Sequence, residues 1–128
     1  AHATPARDEY AGYKAEKARI EKMIQRHGDY FLRRILTERE AAEFDGISYL
    51  AGRWCAKEAL SKALGTGIGS KCAFEEIQVL RDKESGRPVM ALSGSAKRTA
   101  DALGVKRIHL SISHEKLHAV ATVVLEGE

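Results

Sequence analysis

The spacing of apolar positions changes halfway along the chain. From Lys14 to His27 it is helical, with Ile20, Met23, Ile24 and His27 on one face. Gly28 stands where a left-handed residue would close that helix. A second helical stretch, DYFLRRIL, follows. Thr37 and Glu40 form a capping-box pair that opens a short helix through Phe44. Ser48 is placed to cap a long helix that ends at Gly65. Beyond it the pattern is that of strands. AFEEIQVLR, with Phe74, Ile77 and Val79 among its apolar residues, is strand-like; DKESGRP turns the chain and VMAL returns, which predicts a hairpin. SGSAKRTADALG reads as a capped short helix ending at Gly104. RIHLSIS alternates, with Ile108, Leu110 and Ile112 on one side and His109, Ser111 and Ser113 on the other. After the turn HEK, LHAVATVVL is nearly continuous apolar sequence, as a central strand is.

Helices first, then mostly antiparallel strands with one inserted helix, predict an α+β fold in a single domain over residues 1–128. Residues 1–13 are the exception. They show no period, contain Pro5 and Gly12, and read as a tail. GYKAEKA holds good helix formers and no β-branched residue, so it is expected to continue the first helix backwards.

The long helix carries the candidate chemistry. Leu50, Ala51, Trp54 and Cys55 form one apolar arc, and Glu58 and Lys62 project into it about 40° apart. Arg53 and Lys57 form a separate basic pair, while Ala56, Leu60, Ala63 and Leu64 cover most of the rest. A helix apolar nearly all round is buried, and a buried carboxylate needs a partner or a metal. One reading is an i, i+4 Glu–Lys pair on a solvated surface. The other starts from the next residues, GTGIG, whose glycines let a ligand approach the backbone. With Lys62, Lys57 and Arg53 they suit phosphates. The loop follows a helix, so it is neither a P-loop nor a dinucleotide fingerprint. Glu58 is the hard oxygen donor that Mg²⁺ takes beside substrate phosphates.

Composition adds limits. The chain has 128 residues, 44% apolar and 30% charged, with a net charge of +3. No apolar run reaches the roughly 18 residues of a membrane span, and the first residues have no apolar signal core. Two cysteines without metal spacing, Cys55 and Cys72, fit a reducing, cytoplasmic setting. Aromatic content of 6% and no exposed aromatic stripe weigh against a basic nucleic-acid-binding module.

RILTEREAAEF, YLAGRWCAKEALSKALGTGIG and RIHLSISH, together with the apolar last strand, resemble the holo-acyl-carrier-protein synthases, the short group of 4'-phosphopantetheinyl transferases, over about residues 19–126. The resemblance implies transfer of phosphopantetheine from coenzyme A to a serine of an acyl carrier protein in fatty acid biosynthesis, with release of adenosine 3',5'-bisphosphate. It implies a homotrimer with each site between adjacent subunits. Glu58 would be a Mg²⁺ ligand and candidate base, and Lys62 would hold the attacked phosphate. The coenzyme A contacts would come from Arg53, Lys57, Ser61, Lys62, Gly65, Thr66, Gly67, Ser111 and His114, the last two from a neighbouring subunit. Arg19, Lys22 and Arg26 would dock the acidic carrier protein. No nucleic acid or membrane is implied as a partner.

One departure stands out. The family opens on a strand with Gly-x-Asp, whose aspartate is a second Mg²⁺ ligand six residues before Arg-Ile-Glu. Here Arg19-Ile20-Glu21 matches, but Tyr13 holds the aspartate position. The expectation is that strand and ligand are both lost, that Tyr13 points elsewhere, and that Mg²⁺ is held poorly. Against it stands a fold-back of Asp8 or Glu9 into the site. A non-catalytic coenzyme A- or nucleotide-binding homologue is the rival reading.

Overall fold

The computed structural model describes residues 9–127. The elements run β1 (Glu9–Glu16), α1 (Lys17–His27), α2 (Asp29–Ile35), α3 (Glu38–Ala42), α4 (Ile47–Leu64), β2 (Ile77–Arg81), β3 (Pro88–Leu92), α5 (Gly94–Ala102), β4 (Arg107–His114) and β5 (His118–Glu126). A single 3₁₀ turn at Phe74–Glu76 precedes β2. The strands form two antiparallel sheets rather than one: β1-β5-β4 and the hairpin β2-β3.

Residues 9–16 are a strand, not a backward extension of α1, and β1 pairs with β5 from Glu9↔Leu125 to Glu16↔His118. Local helix propensity loses because β5 would otherwise carry an open edge, and strand preference is set by context. Asp8 lies outside the described residues.

β5 is the central strand, as its apolar run predicts. Its Ala119, Ala121, Val123 and Leu125 are buried beneath α4. α4 is enclosed on nearly every side, with Leu50, Ala51, Cys55, Ala56, Ala59, Leu60, Ala63 and Leu64 all buried. Small residues let the helix lie close to the sheet. A Cβ at Gly52 would sit 3.2 Å from both His114 Nε2 and Ile112 Cγ2.

Helix ends follow the sequence pattern in part. The α3 capping box is present: Thr37 Oγ1 accepts from Glu40 N at 3.1 Å, and Glu40 Oε1 accepts from Thr37 N at 2.8 Å. Ser48 lies inside α4, whose cap is Gly46. The N-terminus of α5 is capped by a distant side chain, Glu76, which accepts from Ser95 N at 2.6 Å and Ala96 N at 3.3 Å. A bond from Ala73 N at 3.0 Å, then one from the Ser95 hydroxyl, together with these two, hold the Glu76 carboxyl down at about 2.

The second face of the three-stranded sheet bears Tyr10, Gly12 and Lys14 from β1, Val124, Thr122 and Val120 from β5, and His109, Ser111 and Ser113 from β4, in cross-strand rows. Among the described residues no helix covers it. Tyr10 is 74% exposed and the β5 residues are half-buried.

Candidate active site

The last two turns of α4 and the loop after them form one end of the site. Glu58 is half-buried and Lys62, one turn on, is exposed. Gly65 adopts φ 84°, a left-handed conformation that a glycine takes without strain. Its N–H returns to Lys62 O at 3.0 Å, while Thr66 and Gly67 N–H both return to Ser61 O at 3.1 Å. Ser61 is buried and donates its hydroxyl to Glu58 O at 2.8 Å; Thr66 donates to Gly67 O at 2.8 Å. The Ser61 carbonyl and the Thr66 hydroxyl therefore hold the loop's shape. A cavity of about 320 Å³ opens here, lined by Glu9, Lys62, Gly65, Leu103, Val105 and Leu125 among others.

Tyr13 does not point away. On β1 it faces α4, and the Lys62 ammonium lies 5.1 Å from its ring centroid. Burial, then the Glu58 charge, push the Tyr13 phenol above its ordinary range, with Arg19 opposing. Burial likewise raises the Glu58 carboxyl, with Lys62 opposing. Glu58, Lys62 and Tyr13 are thus electrostatic neighbours, and Arg19 is close enough to act on the group.

The donor set does not suit a resident Mg²⁺. That ion wants several oxygen ligands in near-octahedral array. Glu58 is one carboxylate beside an ammonium, and a neutral phenol stands where a second carboxylate would be. Among the described residues no three His, Cys, Asp or Glu side chains come together as a metal-holding group.

Arg53 and His114 line a second cleft, of about 200 Å³, with Arg81, Gly86, Pro88 and Ile112. Arg53 is 6% exposed, its guanidinium 4.0 Å from the Tyr49 ring centroid, and among the described residues its buried Nε has no hydrogen-bond partner. Burial, Lys17 and Arg53 all push the His114 imidazole below its ordinary range. Three basic side chains and no acidic one line the cleft, which is the makeup of an anion site. Arg81 was not singled out from sequence; its place at the end of the β2-β3 hairpin brings it there.

Two expected contacts are placed elsewhere. Lys57 is fully buried and donates to Glu40 Oε1 at 2.6 Å, Ile35 O at 2.7 Å and Phe74 O at 3.2 Å. An ammonium has three protons, and all three are engaged within the fold. Ser111 lies on the uncovered sheet face, opposite to His114, as strand alternation requires. The two cannot enter one cleft of one chain. The same holds for Arg53 and Lys62. Nine residues separate them on α4, so they project about 180° apart.

Arg19, Lys22 and Arg26 are exposed on α1. Arg19 shares a depression of about 260 Å³ with Tyr13, Glu16, Ile20 and Trp54, so the basic helix leads to the Tyr13 side of the site.

Comparison with known proteins adds its weight to this geometry. A holo-[acyl-carrier-protein] synthase of Vibrio parahaemolyticus is 51% identical over 117 residues, 88% of this chain and 92% of the relative. The crystal structure of a Neisseria meningitidis holo-[acyl-carrier-protein] synthase superposes with a TM-score of 0.87 at 33% identity, covering 92% of this chain and 97% of that one. A Bacillus anthracis holo-(acyl-carrier-protein) synthase, solved in complex with CoA (3',5'-ADP), is 41% identical with a TM-score of 0.76, covering 94% and 96%. The model of the 4'-phosphopantetheinyl transferase superfamily matches residues 15–122, from the end of β1 into β5, and the chain belongs to that family.

Proposed function

We propose that this protein transfers the 4'-phosphopantetheine arm of coenzyme A to a serine of an apo-acyl carrier protein. The observation that carries the reading is Glu58 and Lys62, one turn apart on α4, with Lys62 lining the cavity at the Gly65 loop. Glu58 takes the proton of the serine hydroxyl. The serine oxygen bonds the phosphorus of the pantetheine phosphate, and the bond to the bridging oxygen breaks. That oxygen leaves with adenosine 3',5'-bisphosphate. Lys62 offsets the charge on the phosphoryl oxygens, so catalysis is positioning and charge neutralisation. No step is routed through magnesium, since the protein's donors do not suit a resident ion.

The donor reaches from the Lys62 end of one subunit to the Arg53–Arg81–His114 cleft of its neighbour in a homotrimer. The 180° separation on α4 supports this, as does the uncovered sheet face available for subunit contact. Arg19, Lys22 and Arg26 receive the acidic carrier protein. Fatty acid biosynthesis is the process served, and two buried thiols, Cys55 and Cys72, suit a cytoplasmic setting. No helix among the described residues is long and apolar enough to cross a membrane.

The test is mass spectrometry of an apo-carrier protein incubated with coenzyme A, Mg²⁺ and this protein. The carrier is expected to gain one phosphopantetheine. Coenzyme A binding without that gain would overturn the reading.

A further inference from the structure

We propose that Tyr13 is a positioning residue: the face of its ring holds the Lys62 ammonium at the site without cancelling its charge, so the donor's pyrophosphate binds there without a divalent cation. The inference rests on the proposed donor site. It starts from the 5.1 Å contact between Lys62 Nζ and the Tyr13 ring centroid, inside the roughly 6 Å range of cation–π attraction. Lys62 is exposed and on a flexible stem, and no hydrogen bond or ion pair of its ammonium is found among the described residues. The ring is what fixes it. Tyr13 is itself fixed, because β1 pairs with β5 on both sides of it and its register partner is Ala121.

The charge arithmetic decides what this contact does. Glu58 and Lys62 together are neutral, and Tyr13 adds nothing to that sum while its phenol is protonated. A carboxylate at residue 13 would make the cluster net negative and would take Lys62 into an ion pair. Such a site repels a pyrophosphate until a cation joins it. With a ring face the ammonium is attracted by a quadrupole and keeps its full charge for an anion. Glu9, four residues back on the same side of β1, lines the cavity with Lys62 but carries no contact to it.

The experiment is calorimetric titration of coenzyme A into the full chain and into Tyr13→Phe, Tyr13→Leu and Tyr13→Asp, each with EDTA or with MgCl₂. In EDTA the unmodified protein and Tyr13→Phe are expected to bind alike. Tyr13→Leu should bind about fivefold more weakly, within the span of a partly exposed cation–π contact. Tyr13→Asp should bind weakest in EDTA and recover with Mg²⁺. Equal binding of Tyr13→Leu and the unmodified protein in EDTA would overturn the proposal, as would a Mg²⁺ requirement in the unmodified protein.

A second readout needs no ligand. The Lys62 Hε proton resonances should be shifted upfield by the ring in the unmodified protein and in Tyr13→Phe, and should return to ordinary values in Tyr13→Leu. Absence of that shift in the folded, unmodified protein overturns the positioning role. If the shift is present and no variant binds coenzyme A, the claim about pyrophosphate fails together with the donor-site reading, while the contact itself stands.

Discussion

Lys57 and Glu58 are joined by one peptide bond and meet different surroundings. Lys57 is sealed in the interior, where burial lowers its ammonium below the ordinary range and the Glu40 carboxylate opposes that shift. Glu40 also accepts from Val79 N at 2.7 Å, so the pair ties α4 to α3 and β2. Lys57→Met would leave Glu40 buried and unpaired. The expected cost is about 3–5 kcal/mol, read from the shift in a urea unfolding midpoint. Glu58→Gln should do the reverse: the midpoint stays near its original value, while carrier modification falls by at least ~10²–10⁴-fold, the span of general-base loss. Near-normal turnover would remove Glu58 from the mechanism. His114 offers a pH test. Its imidazole is depressed in the free protein, and a bound phosphate would favour the charged form. Coenzyme A affinity should therefore rise as pH falls from the complex's raised imidazole pKa toward the free protein's lowered one. His114→Gln should flatten that slope; an unchanged slope would place the titrating group elsewhere.

At the scale of elements, the sequence was most legible where period and partner agreed. α4, the β2-β3 hairpin, β4 and the central β5 all carry their own signal. β1 does not, because GYKAEKA gains its strand form from the edge of β5, a partner about a hundred residues away. The side chain that caps α5 is not legible for the same reason, since Glu76 reaches it from before β2. Glu58 and Lys62 were legible because charges inside an apolar arc need an explanation. The Lys57–Glu40 pair was not, because their approach depends on how α3 folds against α4. α1 supplies this scale's prediction. Arg19, Lys22 and Arg26 lie at i, i+3 and i+7, on one exposed side, and Arg19 borders the Tyr13 depression. Reversing the charges of Lys22 and Arg26, the two further from Tyr13, should raise the KM for the carrier protein and weaken its salt dependence, with coenzyme A binding unchanged. Equal loss of carrier and coenzyme A binding would mean that the helix serves the fold instead.

At the scale of the whole molecule, α4 holds the two proposed halves of the donor site on opposite sides of one helix. Its Arg53 side faces the Arg81–His114 cleft and its Lys62 side faces Tyr13 and the Gly65 loop, with the helix body between them. On the proposed reading, a donor carrying phosphates at both ends takes one half from each of two copies. The uncovered sheet face, with Val120, Thr122 and Val124 along its centre, is a surface through which copies can meet, and a closed ring gives every copy the same two neighbours. Two measurements follow. Light scattering at micromolar concentration should give three times the chain mass, and Thr122→Lys on that face should lower both the mass and the activity. The sharper one is complementation. Arg53→Ala and Lys62→Ala should each be nearly inactive alone, since each spoils one half of every site. When the two are mixed and allowed to exchange subunits, some interfaces join an intact Arg53 half to an intact Lys62 half. Activity should then return, in proportion to the share of such interfaces. If the exchanged mixture stays as inactive as its components, both halves act within one chain and the shared-site reading fails.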